Sequence, residues 1–296
     1  MTMMSRRRFL MLTVSTVAAP ASALPTDHVS QWSGTAMGAD VSMSFHNPFG
    51  AHKNDVSDIV SLLREVERTF SLFDPNSSLS RLNSAKTLVT DDRFEEVMAV
   101  SQSVYEATDG LFDPTIQTVW SALARGQSPD NAWAHVGFDQ VKWTEGVICL
   151  DPFQSLSFNG IAQGYATDVV RAELSARGYK HVLINMGEYS AQGGPFTLGV
   201  QDPKFGQLGT VSIQNTSVAT SSPSASKINS RDHIFHPKGG QTQWSTVSVE
   251  ATSATLADAC STVFCMMSRA EIASVKRHFD LGRILLIDAD GNLSTI

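Results

Sequence analysis

The chain has 296 residues, with 29 acidic against 22 basic side chains and a formal net charge of −7 at pH 7. This acidic balance argues against nucleic acid as the main partner, because a phosphate backbone binds surfaces rich in lysine and arginine. After the first 23 residues, no segment of the sequence is long and apolar enough to cross a bilayer.

The first 23 residues match the pattern of a twin-arginine signal peptide. Arg6, Arg7 and Arg8 precede a short apolar run, and Ala-Ser-Ala at 21–23 forms a small-x-small cleavage site. The pattern predicts export of a folded protein to the periplasm; a basic N-terminal extension without a targeting role is the alternative. No proline- or serine-rich linker divides the remainder, so residues 24–296 are expected to form a single domain.

Apolar periodicity along residues 24–296 predicts an α+β fold. Residues 33–38 and 129–133 are expected to form a turn and a loop. The predicted helices cover residues 54–71, 91–108, 160–177 and 256–267. The predicted strands cover residues 41–45, 141–150 (two strands joined at Glu145-Gly146), 181–186, 196–200, 209–214, 217–220, 246–251 and, as the final strand, 283–288. Two helices precede a strand-rich half, which predicts mostly antiparallel sheets with helices packed against them.

The three cysteines, Cys149, Cys260 and Cys265, exclude a complete disulfide framework in an exported protein because their number is odd. Cys260 and Cys265 are five residues apart on a predicted helix, so their side chains point in different directions. All three are expected to be buried small apolar residues.

Residues 159–168 begin with small residues and lead into a predicted helix. Gly160 and Gly164 would let the backbone approach a bulky or charged ligand without a Cβ clash. A helix start also offers unpaired N–H groups and the positive end of its dipole to an anion. The segment therefore predicts a phosphate-binding turn.

Asp258 and Thr262 are four residues apart on a predicted helix and so share one face. A carboxylate and a hydroxyl are hard oxygen ligands suited to Mg²⁺, which completes its shell with water and substrate phosphate. Polar decoration of a helix surface is the alternative. The neighbouring residues are mostly apolar, however, and a carboxylate in such a helix needs a partner.

His233 and His236 form a second group of candidate functional residues. Zinc needs three or four nitrogen or sulfur ligands, and the sequence offers no convincing third one nearby. A single histidine acting as general base is a better interpretation, because an unperturbed imidazole titrates near neutral pH. Two loop histidines without a role are the remaining alternative.

Residues 109–115 end one predicted helix and continue as an extended Asp-Pro segment. The simplest interpretation is a turn. The alternative is a backbone ledge for an aromatic heterocycle, held by Phe112 and Asp113.

Taken together, eight short motifs resemble those of the ApbE-type FAD:protein FMN transferases and keep their order. They are Gly-Thr-Ala-Met-Gly at 34–38, Leu-Ser-Arg-Leu-Asn at 79–83, Gly-Leu-Phe-Asp-Pro-Thr at 110–115, the segment at 160–168, Asn-Met-Gly at 185–187, Ala-Thr-Ser at 219–221, His-Ile at 233–234 and Ala-Asp through Thr at 257–262. The resemblance covers most of residues 24–296 and implies an ApbE-like, T-fold-like α+β domain.

The resemblance also implies an Mg²⁺-dependent enzyme that transfers FMN from FAD to a threonine hydroxyl of an acceptor protein and releases AMP. His233 matches the position of the base toward the incoming hydroxyl. The metal ligands would be Asp258, Thr262 and the Gly160 carbonyl. The flavin-nucleotide contacts would come from Met37, Phe73, Leu111, Phe112, Asp113, Gln163 and Ile234.

Five positions depart from the family pattern. They are Ser157 (usually Asp), Gln163 (usually Lys or Glu), Glu188 (usually Gly), Ser222 (usually Gly) and His236 (usually Asp). Gln163 cannot pair with a phosphate as a cation does. These departures bear on nucleotide affinity and rate, and they leave the implied metal ligands and His233 unchanged.

Within the family, the chain is similar to the NosX-type periplasmic proteins of nitrous-oxide respiration. This similarity implies a membrane-bound NosR-type flavoprotein as the flavin acceptor. Two other functions share the same nucleotide cradle: an Mg²⁺-dependent FAD pyrophosphatase, which would release free FMN, and a non-catalytic FAD-binding maturation protein, which would bind FAD without turnover.

Overall fold

The computed structural model describes residues 29–47 and 50–296. The predicted signal peptide lies outside the described residues. Within the part of the chain that the structure describes, no helix combines the length and the apolar character that a bilayer crossing requires.

Most of the helices lie in the first two thirds of the chain, and a run of strands from β6 to β13 separates α6 from α7. The helices are α1 Lys53–Phe70, α2 Ser78–Ala85, α3 Asp92–Ala107, α4 Gln117–Ala124, α5 Asp130–Trp133, α6 Ala162–Ala176, α7 Ala254–Phe264 and α8 Arg269–His278. The strands are β1 Val29–Ala36, β2 Ala39–His46, β3 Thr87–Val89, β4 Lys142–Thr144, β5 Val147–Cys149, β6 Val182–Asn185, β7 Tyr189–Gln192, β8 Phe196–Asp202, β9 Gly206–Ile213, β10 Ser217–Ser221, β11 Lys227–Ile228, β12 Arg231–Asp232, β13 Thr246–Ala251, β14 Ile284–Ile287 and β15 Leu293–Thr295.

An eight-stranded sheet organises the fold, in the order β1-β2-β6-β7-β10-β13-β14-β15. A three-stranded sheet (β3-β5-β4) and two hairpins, β8-β9 and β11-β12, complete the strand pairing of the described residues. Each of these pairings is antiparallel. The prediction of an α+β fold with mostly antiparallel sheets is therefore confirmed.

Both faces of the central sheet are buried, because successive strand residues point to opposite faces. In β6, Val182 and Ile184 belong to the main apolar core, in which α1, α3, α6 and α7 also take part. Leu183, between them, belongs to a second apolar cluster formed with the β8-β9 hairpin. The sheet therefore lies between a helical layer and a hairpin.

Asp202 fastens the hairpin to the sheet. Its carboxylate accepts hydrogen bonds from the hydroxyls of Ser245 and Thr246, at 2.6 Å each, and from the backbone N–H groups of Lys204 and Phe205. Burial opposes ionisation, but these four donors outweigh it and leave the pKa of Asp202 below its ordinary value.

Several local predictions were wrong. Residues 33–36 belong to strand β1 instead of a turn, and the loop expected at 129–133 contains helix α5. Strand β15 follows the strand that was expected to be final. Cys149 is exposed, because it lies on the outer face of β5, while Ile148 occupies the buried face; Cys260 and Cys265 are buried as expected.

Candidate functional site

The starts of helices α6 and α7 meet and build one side of the candidate site. The backbone N–H of Gly164, in the first turn of α6, donates to Oδ2 of Asp258 on α7 over 3.0 Å. Asp258 is only 4% exposed. The carboxylate that the sequence left without a partner therefore receives an N–H group at the positive end of a neighbouring helix dipole.

Gly164 allows the two helices to approach this closely. A Cβ atom at this position would lie 2.3 Å from the backbone oxygen of Ala254, the first residue of α7. A contact that short with a backbone atom cannot be relieved by a side-chain movement. Gly164 thus serves helix packing.

The N–H groups at the start of α6 point largely to protein acceptors. Besides the Gly164 bond to Asp258, the Ala162 N–H donates to the Phe158 oxygen over 2.8 Å. The sequence predicted that this helix start offers unpaired N–H groups to an anion, but the N–H groups of Ala162 and Gly164 are already paired within the protein. A phosphate at this place would instead meet the Asp258 carboxylate, which carries the same sign of charge.

Asp168, on α6, caps the start of α7. One turn beyond Gly164, its carboxylate accepts hydrogen bonds from the Ala254 N–H (2.8 Å) and the Thr255 N–H (2.9 Å). The hydroxyls of Ser253 and Thr255 donate to the same carboxylate at 2.8 and 2.7 Å. Sequence reasoning gave Asp168 no role, although the Ser253-x-Thr255 helix start was a visible sign of a cap.

Thr262, one helical turn along α7 from Asp258, is a neighbour of Gly160. A Cβ atom at Gly160 would lie 2.9 Å from the Thr262 hydroxyl oxygen. The Ser221 hydroxyl, at the end of β10, lies 3.2 Å from the Thr262 hydroxyl and 2.8 Å from the Ser261 hydroxyl. The structure therefore brings the three predicted metal-binding residues together and adds Ser221, which sequence reasoning missed.

The donor set fits Mg²⁺ better than zinc. Carboxylate, hydroxyl and backbone carbonyl oxygens are hard ligands. Within the described ranges, no group of three or more His, Cys, Asp or Glu side chains is placed to hold a metal ion. A cation here would use one carboxylate and would complete its shell with substrate and water.

His233 is hydrogen-bonded to the chain that follows Ser221. Its Nδ1 lies 2.9 Å from the Pro223 oxygen, and its backbone N–H also donates to that oxygen at 3.3 Å. A carbonyl can only accept, so Nδ1 carries the proton and Nε2 is the basic nitrogen of the neutral ring. Pro223 is two residues beyond Ser221, which links His233 to the Thr262 neighbourhood.

His236 is placed differently from His233. Its Nδ1 accepts a hydrogen bond from the Lys238 N–H at 3.2 Å. Burial, with Lys238 nearby, lowers the pKa of His236. The local hydrogen bond therefore occupies one of the two ring nitrogens of His236.

Asp113 is buried and its carboxylate serves the local fold. It accepts hydrogen bonds from the Thr115 N–H (2.8 Å), the Thr115 hydroxyl (2.5 Å) and the Phe138 N–H (3.2 Å). Burial raises the pKa of Asp113 against these donors. The segment at 110–115 is therefore fixed firmly against the turn at Phe138–Gln140.

The other predicted nucleotide contacts differ in exposure. Phe112 and Gln163 are buried, Leu111 and Ile234 pack at the edge of the main core, and Phe73 is 71% exposed in the turn before α2. Met37 has a positive φ of 50° and donates its N–H to Glu67 Oε1 at 2.9 Å. Their contact with a nucleotide stays a prediction.

Two of the residues that depart from the family pattern, Gln163 and Glu188, are buried on either side of Thr167. The Glu188 carboxylate accepts the Thr220 N–H at 2.9 Å. The Thr167 hydroxyl lies within hydrogen-bonding distance of the backbone oxygens of both Gln163 and Glu188, at 2.8 and 3.2 Å. Glu188 therefore holds the strand end that leads into Ser221.

Comparisons with known proteins agree with this architecture. The model of the ApbE family matches residues 37–283. An FAD:protein FMN transferase of Rhodobacter capsulatus is 22% identical over 305 residues, covering 88% of this chain but only 57% of that protein. The fold is similar to the flavin transferase ApbE from Vibrio cholerae (TM-score 0.77, 20% identity, 91% of this chain and 97% of that one). It is also similar to the Pseudomonas stutzeri flavinyl transferase ApbE (TM-score 0.76, 22% identity, 91% and 94%).

Proposed function

The chain belongs to the ApbE family, and we propose that it transfers FMN from FAD to a threonine hydroxyl of an acceptor protein and releases AMP. One observation carries this proposal: Gly160, Asp258 and Thr262 converge, and the Ser221–Pro223 segment joins them to His233. Positioned groups of this kind are what phosphoryl transfer mainly requires.

The proposed step is an in-line displacement at the phosphorus next to riboflavin. The threonine oxygen forms a bond to that phosphorus, the bond from the same phosphorus to the bridging oxygen breaks, and AMP leaves with the bridging oxygen. His233 Nε2 accepts the threonine proton, because the Pro223 carbonyl holds the proton of the neutral ring on Nδ1. FMN remains on the acceptor as a phosphoester.

We further propose that Asp258, Thr262 and the Gly160 carbonyl hold Mg²⁺. When bound, the ion would offset the negative charge of the diphosphate and of departing AMP. The charge of the site supports this assignment, because a diphosphate beside the buried Asp258 carboxylate would otherwise be repelled. The α6 N–H bond to Asp258 holds that carboxylate in place.

Seven residues are proposed to cradle FAD. They are Met37, Phe73, Leu111, Phe112, Asp113, Gln163 and Ile234. The hydrogen bonds of Asp113 to the Phe138–Gln140 turn support this role, because they keep the segment at 110–115 rigid. The exposed ring of Phe73 offers an aromatic surface for stacking.

The place of action and the acceptor are also proposals. The twin-arginine pattern at residues 5–10 supports export to the periplasm. The motif variants at 159–168 and 185–188 support a NosR-type membrane flavoprotein as acceptor and a role in nitrous-oxide respiration.

Mass spectrometry of the candidate acceptor after co-expression with this chain tests the proposal. The expected product is an acceptor heavier by FMN less one water, located on a threonine. Thr262→Val should raise the MgCl₂ concentration needed for labelling, whereas Thr262→Ser keeps the hydroxyl and should label normally. An unmodified acceptor with wild-type protein, despite bound FAD, would contradict the proposal.

A further inference from the structure

We infer that Asp168 is a positioning residue for the proposed metal site, because it fixes the place of Asp258 and Thr262 relative to Gly160. The inference rests on the proposed function. It assigns a role to a carboxylate that is distinct from the proposed metal ligands, base and nucleotide contacts.

The contacts of Asp168 are concentrated on the start of one helix. Its two carboxylate oxygens accept four hydrogen bonds of 2.7 to 2.9 Å, and all four donors belong to residues Ser253, Ala254 and Thr255. The remaining N–H group of that turn, from Leu256, donates to the Ser253 hydroxyl at 3.2 Å. Asp168 therefore supplies most of the cap of α7 from outside that helix.

Two pairs of residues, each one helical turn apart, connect the Asp168 cap to the proposed metal site. Gly164 and Asp168 lie on α6, and Ala254 and Asp258 lie on α7. Asp168 holds the Ala254 N–H, Gly164 packs against the Ala254 oxygen, and Asp258 receives the Gly164 N–H. Because Ala254 and Asp258 belong to consecutive turns of one helix, a displacement of Ala254 also displaces Asp258.

Asparagine is the informative replacement for Asp168. It has nearly the same shape, but its amide NH₂ group is a donor and would face another donor at the helix start. The substitution therefore removes part of the restraint without opening a cavity. Thr255→Val is a milder second variant, because it removes only the hydroxyl that donates to Asp168 at 2.7 Å.

A matched control separates positioning from general stability. Asp91 is the N-cap of α3, where its carboxylate accepts the Phe94 N–H at 2.9 Å. Asp91→Asn is the same chemical change at a helix start that contributes none of the proposed metal ligands. It should lower thermal stability without changing the response to Mg²⁺.

The experiment titrates MgCl₂ into the full mature chain with FAD and follows FAD fluorescence anisotropy, together with the rate of acceptor labelling. We expect Asp168→Asn to raise the half-saturating MgCl₂ concentration about tenfold, as for residues that orient metal ligands. Thr255→Val should raise it less, and Asp91→Asn should leave it unchanged. The labelling rate at saturating MgCl₂ should stay within about twofold of wild type in all three variants.

The outcomes separate this inference from the proposed function. Suppose that wild type responds to Mg²⁺ and that Asp168→Asn has the same half-saturating MgCl₂ concentration, with or without a lower maximal anisotropy. Asp168 is then a stability residue and the inference is wrong. If wild type itself shows neither a Mg²⁺ response nor labelling, the proposed function fails and the inference fails with it.

Discussion

The backbone N–H of Gly164 donates to Oδ2 of Asp258 over 3.0 Å, and this bond joins the start of one helix to the middle of another. The two residues are 94 positions apart in the sequence. The bond satisfies an N–H group that the helix itself cannot pair, and it fixes one oxygen of the Asp258 carboxylate against the start of α6. The structure of the site and the stability of the helix pair therefore depend on the same contact.

Replacing Asp258 with alanine should abolish transfer. The variant loses the only carboxylate among the proposed metal ligands, and it also loses the acceptor for the Gly164 N–H, at a cost of about 1–3 kcal/mol in the free energy of unfolding. Chemical unfolding and labelling assays measure both effects. Asp91→Ala removes a comparable cap from α3 and should keep most activity; a fully active Asp258→Ala would remove the metal assignment.

Gly164→Ala should destabilise the protein by about 3 kcal/mol, because its Cβ would overlap the Ala254 oxygen and force α6 and α7 apart. Activity should fall with stability, since the separation moves Asp258 away from Gly160. Gly209→Ala is the control: its Cβ would meet only the end of the Leu293 side chain at 3.3 Å. Urea unfolding curves compare the two variants, and equal stabilities would show that the helix contact tolerates a methyl group.

His233→Gln should slow transfer by about 100-fold while FAD affinity stays near that of wild type, because glutamine cannot accept the threonine proton. The relevant comparison is the single-turnover labelling rate at saturating FAD. His278→Gln, at the end of α8 where the ring contacts Phe279, should have no effect on the rate. Undiminished transfer by His233→Gln would mean that another group accepts the proton.

Asp202→Asn should destabilise the protein by about 3 kcal/mol at neutral pH, because a charged acceptor of four hydrogen bonds is lost. The folded-state pKa of Asp202 lies below the ordinary value of an aspartate. Its stabilising contribution is therefore complete above that value and is lost as the pH falls through the lower folded-state pKa. Urea unfolding between about pH 7 and about pH 3 should show that the difference in unfolding free energy between Asp202→Asn and wild type becomes smaller in acid. A difference that does not change with pH would assign the effect to packing.

The sequence predicted the elements with strong periodicity and missed those with weak propensity. Helix α2 contains three serines in eight residues and is capped by Ser77, whose hydroxyl accepts the Ser80 N–H. Nothing in its composition distinguishes it from a loop. Helix α8 was also missed, although the sequence carries a signal for its start. Ser268 and Glu271 form a capping box there.

The sequence predicted those site residues whose role can be recognised from residue type and local spacing alone. Asp258 and Thr262 were found because their spacing places them on one face of an apolar helix. Asp168 and Ser221 were not, because their roles depend on partners 85 and 41 positions away. Such contacts are set by the tertiary packing of α6, α7 and β10, which periodicity does not encode.

The most direct test of the proposed transfer quantifies its two products. The purified protein is incubated with FAD, MgCl₂ and an acceptor, and both AMP and protein-bound FMN are quantified, with a threonine-to-alanine acceptor as control. Transfer predicts equal amounts of AMP and bound FMN with the intact acceptor and neither product with the control. AMP and free FMN released in equal amounts without any acceptor would contradict transfer and identify a pyrophosphatase, and bound but unchanged FAD would identify a binding protein.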